Sequence, residues 1–136
     1  MDHARKTVAA TFGARRVLLL DSITWLDEQD AGQVVVSGSH GGRSAGEYAV
    51  RWPLALCCLN DAGVGKDRAG IAALDMLEAR GTPALAYGHM SARIGEARDA
   101  WEHGVISHVN ALARALGFAP GLRLRDAIAR IAVTRP

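Results

Sequence analysis

Leu59-Asn60-Asp61-Ala62-Gly63-Val64-Gly65-Lys66-Asp67 is the stretch where the apolar run Leu54 to Leu59 breaks into polar and glycine residues and a helical pattern begins. A short apolar run bounded in this way reads as a strand buried on both faces, as in a parallel sheet. The polar residues then lie at its carboxyl end, where open α/β sheets bind ligands. A second turn of the same kind, Ser37-Gly38-Ser39-His40-Gly41-Gly42, follows the apolar run Val34-Val35-Val36.

Working outward, Val17 to Leu20 reads as a first strand ending in Asp21-Ser22, and Val34 to Ser37 as a second. Leu54 to Leu59 is the third, and Thr82-Pro83-Ala84-Leu85-Ala86-Tyr87 the fourth, with its proline tolerated at the start. Ile23 to Gln33 is too brief for a full crossover helix and reads as a short helix or loop, so the first strand is expected at an edge or paired in another direction. Helices are expected at Ser44 to Arg51, ended by Pro53, and from Asp67, read as an N-cap, to Arg80, with Gly81 as the left-handed stop. Three more follow, at Ala92 to Glu102 with Ser91 as N-cap, at Val105 to Leu116 stopped by Gly117, and at Arg123 to Ala132. This alternation predicts a single α/β domain, three-layered and Rossmann-like or flavodoxin-like, with a mostly parallel sheet of about four strands and helices on both faces. Residues 1–13 are left as an N-terminal segment.

Composition agrees with one ordinary globular domain. The chain has 136 residues, 49% hydrophobic and 22% charged, with only 5% aromatic residues. That is long enough for one core. The net charge of +2 is spread over many arginines, of which Arg114, Arg123, Arg125, Arg130 and Arg135 group near the C-terminus. Without aromatic interleaving or a reader motif, this reads as a solvated face and not a nucleic-acid footprint. The start Met1-Asp2-His3-Ala4-Arg5-Lys6 has no signal-peptide core, and no later run is long enough to span a bilayer, so a cytoplasmic protein is expected. Cys57 and Cys58, adjacent in a strand, point to opposite faces and read as buried small hydrophobes.

The candidate site gathers at the strand ends. His40, in a tight turn, offers an imidazole able to transfer protons near neutrality, Asp61 could orient it or act as the base, and Lys66 could form a Schiff base if it were desolvated. These three are the catalytic candidates. Ser39, Gly41, Gly42, Asn60, Gly63 and Gly65 are expected to line an anion site through backbone amides, and Ser91 and Arg93 to complete it, with Arg93 as a carboxylate clamp. Ser107 and Asn110, spaced i, i+3, would share a face of the following helix.

Gly63-Val64-Gly65-Lys66-Asp67 is not a phosphate-binding loop, because Leu59 stands where its first glycine is needed and Asp67 replaces the magnesium-binding hydroxyl. No His-Glu-x-x-His or Cys-x-x-Cys spacing occurs. No cofactor is implied, and the one metal arrangement left open is a loosely held divalent ion on Asp21 and Asp61. Val34 to Gly41, followed by Asn60-Asp61-Ala62-Gly63, resembles the His-Gly and Asp-Ala-Cys strand ends of caspase-like cysteine peptidases. Gly63, however, stands in place of the nucleophilic cysteine, and that family is not adopted.

These readings lead to an enzyme using acid and base groups on a small carboxylated or phosphorylated metabolite, as a lyase, isomerase or hydrolase. The alternatives are a metabolite-binding sensor or a structural subunit. A narrow sheet also suggests a homo-oligomer.

Overall fold

The computed structural model describes residues 6–134. Six strands form one sheet in the order β1-β2-β3-β4-β5-β6, the order in which they follow along the chain. They are β1 (Lys6–Phe12), β2 (Arg15–Leu20), β3 (Val34–His40), β4 (Leu56–Asn60), β5 (Ala84–Tyr87) and β6 (Ile106–Val109). The helices are α1 (Arg43–Ala49), α2 (Ala72–Ala79), α3 (Ala97–His103), α4 (Ala111–Leu116) and α5 (Leu124–Thr134).

Strands β2 to β5 are mutually parallel, and these are the four strands expected from sequence. The expectation of a four-stranded flavodoxin-like sheet is nevertheless corrected. An antiparallel strand is added at each edge, β1 on β2 and β6 on β5, which makes the sheet six-stranded and mixed. The first predicted strand is thus internal. Its outer neighbour β1 belongs to a hairpin turned at Gly13-Ala14, where Gly13 takes φ +64°. A two-residue loop opening on glycine gives the twist an antiparallel pair needs. Residues 1–5 of the N-terminal segment lie outside those described.

Alternation along the central strands divides the core in two. On one face Leu18, Leu20, Val35, Cys57, Leu59 and Ala86 pack with Ala45 and Ala49 of α1 and Ala73, Leu74 and Leu77 of α2. On the other, Val17, Leu19, Val36, Cys58, Leu85 and Tyr87 meet Ala97, Ala100 and Trp101 of α3 and the α5 stripe Leu124, Ala127, Ile128 and Ile131. Cys57 and Cys58 therefore do face opposite layers, both fully buried and unpaired.

Several predicted elements shift. The segment Ile23 to Gln33 holds two single 3-10 turns, Ile23–Trp25 and Glu28–Asp30. Lys6 reaches from β1 to Asp27 and the buried Asp30, 2.8 Å from each. Burial lowers the affinity of the Lys6 ammonium for its proton, but the two carboxylates outweigh this and raise its pKa.

Asp67 is not the N-cap of α2: a 3-10 segment, Lys66–Ile71, comes first, Asp67 sits at φ +57°, and the residue before α2 is Ile71. Ser91 does not cap a helix either. The chain from Gly88 to Glu96 is a strap of turns, and α3 starts only at Ala97.

The predicted helix Val105 to Leu116 is split into β6 and α4. Asn110, at ψ 173°, leaves the helical region, and its side-chain oxygen accepts from the amides of Ala113 and Ala84. Ser107 thus lies on a strand and Asn110 in a cap, so they do not share a helical face.

Because the parallel strands follow one another in sequence, right-handed crossovers place α1 and α2 on one face. After β5 the chain leaves to the other face to form α3. The carboxyl ends of β4 and β5 therefore part in opposite directions, which is the condition that opens a crevice at the end of a sheet.

Candidate functional site

At these diverging strand ends an aspartate and a histidine meet. Asn60 pairs with Tyr87 across β4 and β5, so Asp61 and the residues just after Tyr87 emerge side by side. The Asp61 backbone N-H continues the ladder to Tyr87 O at 2.9 Å. Three donors converge on Asp61 Oδ1: the amide of Gly63 at 2.8 Å, the amide of His89 at 3.0 Å and the His89 ring Nδ1 at 3.2 Å. Asp61 is 5% exposed, whereas the His89 side chain is 45% exposed.

Burial pushes the Asp61 carboxyl up, but the hydrogen bonds from Gly63, from the Ser107 hydroxyl and from His89 outweigh it and hold the group below the usual carboxylate range. An ionised carboxylate only accepts hydrogen bonds. The His89 ring proton facing Asp61 is therefore on Nδ1, and in the neutral ring Nε2 is left as the acceptor of a half-exposed side chain.

The loop after β4 is wound tightly around this carboxylate. Ala62, Val64, Asp67 and Arg68 all adopt positive φ, between +52° and +66°. Such a conformation costs a non-glycine residue roughly 1–2 kcal/mol. Of the glycines expected to cradle an anion, Gly41, Gly63 and Gly65 have their amides engaged within the protein, as do their neighbours Ala62 and Val64. The amide of Ala62 donates to Asn60 Oδ1, that of Gly63 to Asp61, that of Val64 to Asp61 O, that of Gly65 to Gly63 O, and that of Gly41 to Asn60 O.

Asn60 faces the protein. It is fully buried, and its Nδ2 donates to Ala92 O at 3.0 Å, so its carboxamide joins the loop after β4 to the strap after β5. Gly41 and Gly42 are buried at the start of α1, and Ser39 Oγ accepts from the Ile23 amide. Ser91 Oγ donates to Gly88 O at 2.6 Å and accepts from the Val105 amide at 3.0 Å, which fixes the strap to the start of β6.

His40 is exposed and its ring folds over Gly42; no hydrogen bond joins it to Asp61 among the described residues. Lys66 is exposed on the 3-10 segment and forms no ion pair among the described residues. Arg93 is 78% exposed, with Glu96 3.9 Å away as its ionic neighbour.

The partner the sequence reading did not choose is His89. Its signal is position: Asp61 stands one residue and His89 two residues beyond adjacent strand ends. Asp21, the other candidate for a divalent ion, accepts from the Ala97 amide at 2.8 Å and anchors the start of α3. Among the described residues no group of three or more His, Cys, Asp or Glu side chains is placed to hold a metal ion. Nor is any helix among them long and apolar enough to cross a membrane. An apolar groove bordered by Val34, Leu56, Phe118, Ile128 and Ile131 lies at the opposite, amino-terminal end of the strands, away from Asp61 and His89.

Comparison of the chain with protein-family models, with curated proteins and with solved structures gave no match.

Proposed function

We propose that the chain is an acid/base enzyme acting on a small carboxylated or phosphorylated metabolite, with His89 as the proton-transfer group and Asp61 as the residue that orients it. The observation that carries this reading is the contact of a half-exposed imidazole with a buried carboxylate at 3.2 Å, in the crevice between two diverging connections. A base needs a fixed tautomer and access to its working nitrogen; the contact with Asp61 and the 45% exposure of the His89 side chain support that reading. The Ser91 hydroxyl donates to Gly88 O, the Ser107 hydroxyl lies between Ala86 O and the Asp61 carboxylate, and both cysteines are buried. The reaction that fits is proton abstraction or activation of water, as in an isomerase, lyase or hydrolase. With the amides of Ala62, Gly63, Val64 and Gly65 engaged, side chains are left to hold the anion, and Lys66, Arg68 and Arg93 are the exposed cations on the two loops.

The test is a thermal-shift screen of carboxylated and phosphorylated metabolites, with turnover of each hit followed by NMR. His89→Gln and Asp61→Asn should keep binding and lose about 10²- to 10⁴-fold in turnover. Hits that bind without being turned over would replace this reading with a sensor domain. Turnover unaffected by His89→Gln would move the chemistry elsewhere.

A further inference from the structure

The edge strand β6 departs from regular pairing beside Asp61. Ile106 and Val109 are three residues apart, yet both pack in the layer of Leu85 and Tyr87. Strict alternation would put them on opposite faces of the sheet. The difference is taken up by a bulge: Val109 pairs with Leu85, His108 with Ala86 and Ile106 with Tyr87, so Ser107 is the extra residue. A bulge re-aims side chains. Here Ser107 and His108, which would diverge in a regular strand, come side by side, with His108 Nδ1 3.0 Å from Ser107 Oγ. Both side chains are half-buried.

The pair stands on the Asp61 side of the sheet. Leu59 and Ala86 share the layer of α2, and alternation from Leu59 carries Asp61 to that same face. The protons between these groups can then be counted. A hydroxyl has one proton to donate and two lone pairs. Ser107 Oγ is 3.3 Å from Ala86 O, outside the range of about 2.5–3.0 Å usual for a hydroxyl donor. The ionised Asp61 carboxylate also accepts from this hydroxyl and is the stronger acceptor. With its proton directed to Asp61, Ser107 Oγ meets His108 as an acceptor, and the proton between them belongs to His108 Nδ1.

We infer that Ser107 and His108 are positioning residues of this site: the His108 Nδ1–H holds the Ser107 hydroxyl, and that hydroxyl holds the Asp61 carboxylate against His89. This rests on the acid/base reading above and extends its machinery to β6. Gly63 and His89 reach Asp61 from loops, whereas Ser107 reaches it from a strand, so it ties the carboxylate to the sheet. A donor to the carboxylate also opposes transfer of the Nδ1 proton from His89 to Asp61 once the ring is charged, which keeps the abstracted proton on His89.

The experiment uses the full chain labelled with ¹⁵N-histidine, with ring protonation read from long-range ¹H–¹⁵N spectra at about pH 8, where an unperturbed imidazole is neutral. His89→Gln and His108→Gln assign the two rings. Both should carry their proton on Nδ1. Ser107→Ala should release His108 to a mixture of tautomers and shift the His89 nitrogens, and Ser107→Thr, which keeps the hydroxyl, should restore both. With a substrate turned over in the screen, Ser107→Ala should lower kcat about tenfold and leave KM unchanged. A bare Nδ1 on His108 in the natural chain would overturn the inference, because Ser107 would then donate to His108 and not to Asp61. So would His89 signals identical in Ser107→Ala and the natural chain. The underlying reading is tested by a different signal in the same spectra. A bare Nδ1 on His89 would sink the acid/base reading whatever His108 shows; a protonated Nδ1 on His89 beside a bare one on His108 would leave that reading standing and remove only the two positioning residues.

Discussion

Replacing Asp61 should destabilise the protein by an amount that depends on pH, and the structure sets both size and sign. Asp61→Ala removes the acceptor of two backbone N-H groups, from Gly63 at 2.8 Å and His89 at 3.0 Å, and of the His89 ring at 3.2 Å. A hydrogen bond to a charged group contributes about 1.5–3 kcal/mol. The half-exposed ring recovers its bond from water, as does the exposed Gly63 in part, so a loss of about 3 kcal/mol is expected. For a domain of this size that lowers Tm by roughly 10 °C. Asp61→Asn keeps an acceptor but not the charge and should lose about half as much.

The carboxyl is held below its ordinary value of 3.8, so its ionised form is the stabilising one. That contribution is complete above about pH 5 and disappears as pH falls through the folded-state value. Urea denaturation of the natural chain and of Asp61→Asn at pH 7 and near pH 3 should therefore show a gap that narrows in acid. A gap of equal size at both pH values, or none at pH 7, would refute the assignment of Asp61 as the buried ionised anchor of His89.

Two further outcomes are expected. A Cβ on Gly38 would lie 2.6 Å from the Gly95 carbonyl carbon, 2.7 Å from Glu96 N and 2.8 Å from Asp21 O, all backbone atoms. Gly38→Ala should accordingly displace the strap, with a loss of about 2 kcal/mol or more and large amide shifts over residues 88–97; a variant as stable as the parent would show that the strap is not closely seated. Burial pushes the Cys57 thiol up to about 12, and Cys58 well above its ordinary value. Neither should react with a thiol reagent in native protein at pH 8, and both should react in denaturant; rapid native labelling of either would show that the sheet opens at β4.

The central strands could be read from the chain because each is a short apolar run closed by polar or glycine residues. Helix α5 could be read because Leu124, Ala127, Ile128 and Ile131 repeat at helical spacing. The edge strands were harder for opposite reasons. In β1 no residue is fully buried, four of the seven are partly covered, and the register slips between Val8 and Ala10, so alternation is blurred. In β6 the spacing of Val105, Val109 and Leu112 resembles a helix. The break at Asn110 arises from contacts with Ala84, Thr82 and Leu74, which are distant in sequence.

The candidate site divides in the same way. Asp61 was legible because it closes a buried strand. The choice of His40 over His89 as its partner came from the density of glycine around His40, whereas contact with Asp61 is set by the pairing of β4 with β5. The glycine-rich turns resemble an anion cradle in sequence, yet the amides of Gly63 and Gly65 close the turn after β4 and that of Gly41 bonds to Asn60 O on β4. A glycine permits a conformation without specifying which acceptor its N-H will meet.

By itself the sequence determined which segments are buried on two faces, that β4 places Cys57 and Cys58 in opposite layers, and which strand ends carry polar groups, because burial and alternation are properties of neighbouring residues. Tertiary structure alone decided the edge strands, the strap laid over β3 and β4, and the meeting of Asp61 with His89 across 28 positions. Those depend on strand register and on the face to which each connection departs, and such long-range choices leave no periodic trace along the chain.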